Sequence, residues 1–87
     1  MSTLAIETPA RAEGVTCTED ELIVTLSDGR VISVPLIWFP RLAHATKKQR
    51  EVYEILGSGT GIHWPEIDED ISVSGILAGT PSIEARA

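Results

Sequence analysis

The side chains best suited to chemistry lie late in the sequence, where a histidine precedes a run of acidic residues. The run comprises Glu66, Asp68, Glu69 and Asp70, and it follows His63. Carboxylates beside a histidine could hold a metal ion or form an acid–base pair. Zinc sites, however, need further His or Cys ligands at defined spacing, and neighbouring side chains on a strand point to opposite faces. We therefore interpret the run as a solvated acidic surface and predict no metal, no cofactor and no catalytic residue.

A glycine-rich segment just before this histidine raises the question of phosphate binding. Residues 57–61 read Gly-Ser-Gly-Thr-Gly. A phosphate loop follows a strand and opens a helix, and its Walker form also needs a lysine. Here the pattern predicts a helix before the glycines and a strand after them, so we interpret them as a helix-to-strand turn that needs positive φ. A small-ligand sensor centred on His63 and this loop is kept as an alternative.

Nucleophilic catalysis would need a reactive side chain beside a base. Cys17 is the only cysteine, so it cannot form an internal disulfide. The alternation around it predicts a strand, and we interpret it as a buried structural thiol. Ser58 and Thr60 lie near His63 but lack the strand–turn–helix context of a hydrolase serine. We expect a protein that is not an enzyme.

Basic residues cluster in the middle of the chain. They are Arg41, His44, Lys47, Lys48 and Arg50. A basic helix over residues 41–50 could contact phosphate, so a DNA-binding regulator is an alternative function. Against it, no aromatic residues are interleaved on the polar face, and the chain has 7 Lys and Arg against 13 Asp and Glu, a net charge of −6. We do not expect the chain to bind nucleic acid on its own.

The separation of charge along the chain favours binding to another protein. Residues 41–50 are basic and residues 66–70 are acidic, and two patches of opposite sign suit docking on a partner or head-to-tail contacts between copies. We expect Trp38, Phe39, Trp64 and Pro65 to cluster in the core, where each indole N–H needs an acceptor. A partly exposed Trp64, beside the acidic run, would instead be an interface hot spot. The predicted partner-binding residues are Trp64, Glu66, Asp68, Glu69, Asp70, Arg41, Lys47, Lys48 and Arg50.

Size and composition are those of one small globular domain. The chain has 87 residues, of which 43% are hydrophobic and 23% are charged, and these values exclude a multi-domain enzyme and global disorder. No apolar run approaches the ~20 residues that a membrane helix needs. The start of the chain also lacks the pattern of a signal peptide. We expect a cytoplasmic protein that does not contact a membrane.

The elements that must position these side chains begin with a sheet. After a flexible leader over residues 1–13, alternating apolar residues predict a three-stranded antiparallel meander over about residues 14–35. Its second turn contains Asp28-Gly29 between two β-branched runs. This sequence is typical of a type I′ turn, in which both central residues have positive φ.

Short helices and a further strand complete the prediction. Pro40 suits the first position of a helix, and Thr46 with Gln49 forms a capping box. Helices are therefore predicted over about residues 40–56, ending at Gly57 as a left-handed cap. The other predicted segments are a short strand near 62–64, a helix near 72–78 and a flexible tail over 80–87, and the single α+β domain spans 14–79.

The order of short motifs along the chain resembles that of one family. The motifs are Asp28-Gly29-Arg30, Val34-Pro35-Leu36, Trp38-x-Pro40-Arg41-Leu42, Ala45-Thr46-x-x-Gln49-Arg50, Gly59-x-Gly61-Ile62-His63-Trp64-Pro65, Asp68-Glu69-Asp70-Ile71 and Gly75-Ile76-Leu77. Over about residues 14–79 the chain is similar to the small bacterial domain-of-unknown-function family 2442. The resemblance implies an α+β fold of a small sheet packed by short helices, a prokaryotic origin and no established catalytic activity.

The resemblance also implies a kind of partner. Some family members resemble antitoxins, which are short proteins encoded beside a small, basic, toxin-like protein. Others carry this domain ahead of a helix-turn-helix domain, which we do not expect in this chain. We therefore predict a non-catalytic, antitoxin-like binding module whose acidic and aromatic surface docks on a small basic partner encoded nearby.

Overall fold

The structure, a computed structural model, describes residues 11–82. Within this range, two three-stranded antiparallel sheets and three short helices form an α+β fold, as predicted. In chain order the elements are β1 (Ala12–Cys17), β2 (Glu21–Leu26), β3 (Val31–Pro35), a 3-10 turn (Leu36–Trp38), α1 (Pro40–Ala43), α2 (Lys47–Glu51), β4 (Glu54–Leu56), β5 (Gly61–Trp64), β6 (Glu69–Ser72) and α3 (Val73–Leu77). Most of the predicted leader (1–10) and of the predicted tail (83–87) lies outside the described residues.

The first sheet is the predicted meander, in the order β1-β2-β3 with both neighbouring pairs antiparallel. β1 begins at Ala12, inside the segment predicted as a leader, and a shift in register between Ala12 and Gly14 marks a bulge. Alternation along β2 places Leu22, Val24 and Leu26 on the buried face, where each is at most 1% exposed. The apolar period of two therefore decides which face of this sheet packs on the core.

The turn between β2 and β3 is not the predicted type I′ turn. Gly29 has a φ of 97°, but Asp28 does not have positive φ. Leu26 N–H donates to Arg30 O at 2.8 Å and Gly29 N–H donates to Leu26 O at 3.1 Å, so the loop has three residues and its left-handed position is the glycine alone. Positive φ is costly for a residue with a Cβ, and this loop confines it to Gly29. The Asp28 carboxylate accepts the Arg30 main-chain N–H at 3.0 Å and its Nε at 2.8 Å, and these hydrogen bonds lower the pKa of Asp28.

The predicted helix over residues 47–56 is wrong in its second half. α2 begins as predicted, because Gln49 N–H donates to Thr46 Oγ1 at 3.1 Å and Thr46 N–H donates to Gln49 Oε1 at 2.9 Å. The helix ends at Glu51, and β4 follows it. A strand here gains a complete antiparallel ladder with β5, and this pairing outweighs the amphipathic pattern of the segment.

A second sheet, in the order β4-β5-β6, contains the predicted last strand as its central member. Ile62 of β5 lies opposite Ile55 of β4 and Ile71 of β6, and both pairs of strands are antiparallel. β6 begins at Glu69, inside the run that the sequence analysis interprets as a solvated acidic surface. α3 follows directly and starts as predicted, since the Ser72 hydroxyl accepts Gly75 N–H at 3.0 Å.

The glycine-rich turn belongs to the second sheet and packs against the first. Residues 57–60 connect β4 to β5, so they form a strand-to-strand turn, and Gly57 (φ 59°) is a turn residue instead of the predicted helix cap. Ala12 N–H donates to Gly59 O at 2.7 Å. Gly59 has a φ of 103°, and a Cβ there would lie 2.8 Å from Arg11 Cβ and 2.9 Å from Ala12 N. Only glycine satisfies both the conformation and the close approach.

One hydrophobic core lies between the sheets and the helices. Its buried members are Ala12, Leu22, Val24, Leu26, Val34, Leu36, Phe39, Leu42, Ile62, Trp64, Ile71, Val73 and Ile76. Phe39 and Trp64 are in this core and Trp38 packs against it, which confirms the aromatic cluster that the sequence suggests.

Among residues 11–82, no helix is both long enough and apolar enough to cross a bilayer.

Two glycine substitutions should separate backbone strain from steric contact. Gly29 and Gly59 both have positive φ, but no atom lies within 4 Å of a Cβ built on Gly29. We expect Gly29→Ala to lower the free energy of unfolding by about 1 kcal/mol, the usual cost of a non-glycine residue in this region. Gly59→Ala should cost about 3 kcal/mol or more, because the backbone at Ala12 must also move. Urea denaturation measures both losses, and equal losses would contradict the packing of this turn on β1.

Candidate docking surface

The Arg50 side chain is used inside the fold. Its Nε donates to Leu42 O at 3.0 Å and its Nη2 to Ala43 O at 2.8 Å, so the guanidinium satisfies two carbonyls in the last turn of α1. Its Nη1 also reaches Thr18 O, beyond the end of β1, at 3.4 Å. The predicted partner-binding role of Arg50 is corrected to an internal one, since these donors are occupied by main-chain carbonyls.

Trp64 is a core residue, and the alternative of an exposed hot spot is wrong. Its side chain is 0% exposed, and its Nε1–H donates to Arg50 O at 3.0 Å. The Tyr53 ring packs beside the indole with a centroid separation of 6.2 Å. Burial of an indole is favourable when its one N–H finds an acceptor, and the end of α2 supplies that acceptor.

The basic and acidic segments touch each other and are not two separate patches. Arg41 Nη1 donates to Asp68 O at 2.9 Å and lies 3.9 Å from the Asp68 carboxylate. Asp68 has a φ of 52°, which aspartate tolerates better than most residues. Lys47 and Lys48 are exposed and, within residues 11–82, form no ion pair. The predicted basic face over 41–50 is therefore reduced to these two lysines.

Glu69 lies inside the protein, and its predicted place on a docking surface is wrong. It is 8% exposed and lies opposite Trp64 in the β5–β6 ladder. The buried Ile71 follows on the same face of β6. Side chains alternate along a strand, so a run of adjacent acids cannot all face solvent once the run enters a sheet.

The outer face of the second sheet carries charges that strand pairing aligns. Glu54, His63 and Asp70 form one row across β4, β5 and β6. His63 Nδ1 lies 2.6 Å from Asp70 Oδ1, and the two side chains are 26% and 69% exposed. Leu56, which is 41% exposed, lies in the next row of the same face. We call Glu54, Leu56, His63 and Asp70 the acidic face.

Two further acids lie at one end of the acidic face. Glu66 and Asp68 are exposed on the turn that joins β5 to β6. Neither Glu54 nor Glu66 forms an ion pair within the part of the chain that the structure describes. Three of the four acids predicted on a surface are thus exposed, and Glu54 joins them.

The sequence reasoning missed Glu54 because it placed this residue in a helix. The signal that could have found it is a pair of short β-prone segments, Glu54–Leu56 and Gly61–Trp64, separated by a glycine-rich turn. Such a pair predicts a hairpin, and a hairpin places Glu54 beside His63 on one face.

A shallow cleft lies between β1 and α2. Its volume is about 230 Å³, and its walls are Val15, Thr16, Cys17, Lys47, Arg50, Glu51 and Tyr53. Burial raises the pKa of the Cys17 thiol, whereas the positive charge of Arg50 lowers it by a smaller amount. A thiol that stays protonated is a weak nucleophile, which agrees with the structural role predicted for Cys17.

Metal binding was a second possibility for the acids and histidines. Between residues 11 and 82, the structure contains no group of three or more His, Cys, Asp or Glu side chains that could hold a metal ion.

Comparison with known families agrees with the motifs noted in the sequence. Residues 12–82 match the family described as Protein of unknown function (DUF2442). The chain belongs to this family. The match extends over both sheets and all three helices of this DUF2442 domain, from β1 to the residues after α3. None of the curated proteins matches the chain.

Two solved structures are similar to this DUF2442 domain. The crystal structure of a protein of unknown function from Rhodospirillum rubrum ATCC 11170 has a TM-score of 0.75 and 31% identity, and the alignment covers 90% of this chain and 96% of that one. The NMR structure of an uncharacterized protein from Chromobacterium violaceum has a TM-score of 0.70 and 24% identity, over 83% of this chain and 68% of that one. The two-sheet fold therefore occurs in other bacterial proteins, and neither is described with a function.

The role of Arg50 can be tested by a conservative exchange. Arg50→Lys keeps the charge but loses the planar fork that reaches two carbonyls of α1 at once. We expect this change to lower the free energy of unfolding by about 1–3 kcal/mol. Arg30→Lys is the matched control, since Arg30 forms an exposed pair with Asp28, and it should cost less than ~0.5 kcal/mol. Similar losses for the two variants, measured in urea, would remove Arg50 from its internal role.

The state of the Cys17 thiol can be followed by alkylation. Burial raises the pKa of the thiol above the ordinary 9.0. The folded protein should therefore react with iodoacetamide more slowly than an unfolded control at pH 8, and the pH midpoint of its alkylation rate should be higher. Arg50→Met, measured at a temperature where circular dichroism shows that it is folded, should raise that midpoint further. The unfolded thiol ionises first, so the free energy of unfolding should fall as pH rises past the unfolded pKa. A midpoint at or below that of the unfolded chain would contradict the half-buried position of Cys17.

Proposed function

We propose that this chain is a non-catalytic protein-binding module of the cytoplasm, antitoxin-like in role, that docks a small basic protein on its acidic face. One observation carries the proposal: strand pairing aligns Glu54, His63 and Asp70 in a single row, with the exposed Leu56 beside them. The row is held by the backbone of a sheet, so a partner would meet carboxylates that are already in position.

The composition of the acidic face resembles that of a protein interface. An apolar side chain, Leu56, lies among charged groups, and interfaces combine apolar contact with a polar rim. Asp70 is held by His63, whereas Glu54 is free of ion pairs within residues 11–82. The net charge of −6 would also attract a basic protein from a distance and raise the association rate. Docking here would screen the basic surface of the partner from RNA and other polyanions.

A DNA-binding regulator has less support from the geometry. Arg50 is tied to main-chain carbonyls and Arg41 contacts Asp68. The basic segment over residues 41–50 is also divided between two short helices, of four and five residues. Two lysines would neutralise two phosphates, which corresponds to a weak salt dependence with a slope of about −1.8 in log K against log salt.

A ligand sensor at the glycine-rich turn also has less support. The turn is packed on β1, where Gly59 O accepts the Ala12 N–H and the glycine has no room for even a Cβ. His63 lies on the open side of a sheet and is paired with Asp70. Neither the glycine-rich turn nor His63 therefore lines an enclosed site for a ligand.

Charge neutralisation tests the proposal against the product of the neighbouring gene. In the triple variant Glu54→Gln, Glu66→Gln, Asp70→Asn, we expect the wild-type melting temperature to change little, since exposed charges contribute ~0–1 kcal/mol each. The affinity for the partner, measured by calorimetry at low salt, should fall by about tenfold or more, mostly through slower association. Binding by the wild type should weaken as salt rises.

A matched variant controls for net charge. Glu19→Gln, Asp20→Asn, Glu21→Gln removes the same number of carboxylates around the exposed turn between β1 and β2, and it should leave the affinity near that of the wild type. Equal losses in the two triple variants would show that only net charge matters. Wild-type protein without affinity for that product at micromolar concentration would eliminate the proposal.

A further inference from the structure

The outer edge of β3 has main-chain groups that point away from its sheet. β3 is the last strand in the order β1-β2-β3, so only one of its edges is paired. The hairpin closes with Leu26 N–H donating to Arg30 O, and Val24 lies opposite Ile32. In an antiparallel ladder the direction of these groups alternates, so Ile32 faces β2 and its neighbours Val31 and Ser33 face outward. Within residues 11–82, the main chains of Val31 and Ser33 have no other partner.

This edge lacks most of the features by which proteins prevent strand pairing. Natural edges are protected by charged side chains, prolines, bulges or a covering element. Residues 31–34 of β3 read Val-Ile-Ser-Val and contain no charge, and the proline comes only at the end of the strand. Arg30, just before β3, is paired with Asp28 of its own turn at 2.8 Å. The edge is therefore open over four residues.

One of the most exposed large apolar side chains of the described residues lies on this edge. Val31 is 60% exposed, whereas Val52, Leu56 and Leu77 are between 38% and 41% exposed. The position of Val31 beside unpaired main-chain groups indicates a surface that another strand covers.

We infer that two copies of this chain pair through their β3 strands, antiparallel and about a two-fold axis at Ile32. In this register Val31 of each copy lies opposite Ser33 of the other, and their outward N–H and C=O groups form four hydrogen bonds. The two first sheets become one continuous sheet of six strands. The contact is independent of the acidic face, which belongs to the other sheet.

A second copy is favoured over a foreign strand because the edge is complementary to itself. The two outward residues are spaced symmetrically around Ile32, so one register satisfies both, as an isologous contact requires. Chains with a net charge of −6 repel each other, but none of that charge lies on residues 31–34. A pair of short strands falls at the small end of protein interfaces, so we expect a dimer with a dissociation constant of about 10–100 μM.

Sedimentation velocity with the full chain, from about 5 to about 500 μM, tests the association by mass action. The expected result is a shift from monomer to dimer across this range. Amide hydrogen exchange measured by NMR over the same range identifies the edge. Protection of Val31 and Ser33 should increase with concentration, while Ile32, which bonds to β2, should be protected throughout.

Two variants locate the contact. Ser33→Pro removes an outward N–H without removing a bond to β2, so it should keep the fold and abolish the dimer. Val31→Lys should also abolish the dimer, because it brings two positive charges close to the two-fold axis. This variant still tests the contact if the proline variant unfolds. Val52→Lys adds the same charge in place of another exposed valine, which is 40% exposed and far from β3 in sequence, and it should dimerise like the wild type.

Three results of these experiments would overturn the inference, and a fourth concerns the origin of the protection. They are a wild-type chain that stays monomeric at the highest concentration, a dimer that persists in Val31→Lys, and a dimer in which the Val31 and Ser33 amides exchange freely. Concentration-independent protection of the two amides would also overturn it, since it would assign the edge to a contact within one chain.

Discussion

The structure depends on one arginine residue that joins three elements through both its side chain and its main chain. The Arg50 guanidinium donates to the carbonyls of Leu42 and Ala43 at the end of α1, and its own carbonyl accepts the Trp64 indole N–H from β5. α1 and α2 have only four and five residues, which is too short for stability in water on their own. They are held by these contacts and by the burial of Leu42, and in turn they cover the core between the sheets.

The same arrangement explains why basic charge in the sequence did not become a basic surface. A guanidinium is the side chain best able to satisfy several carbonyls at once, so it is suited to a helix end that lacks hydrogen-bond partners. Acidic side chains accept hydrogen bonds and cannot satisfy carbonyls, so apart from the buried Glu69 those of residues 11–82 lie at the surface, two of them on the outer face of the second sheet.

Local sequence patterns predicted the parts of the fold that local forces decide. The alternation in β2 and the capping box at Thr46 and Gln49 both appear as expected, because each depends on residues close in sequence. The segment Glu54–Leu56 could not be assigned in this way. Its pattern suits a helix, and only the ladder with β5 makes it a strand. The burial of Glu69 was missed for a related reason, since it follows from the register of the second sheet.

The order of the strands has a consequence for how quickly the chain folds. In each sheet every strand pairs with its neighbours in sequence, so both ladders close through short loops and the contact order of each half is low. Contacts between the halves, such as Ala12 N–H with Gly59 O, join residues far apart in the chain and carry a larger loop-closure entropy. The halves should therefore form early and combine late, and the barrier to folding should lie in the step that brings the glycine-rich turn onto β1. The lifetime of the native state then depends more on the contact between the two sheets than on the pairing within either sheet.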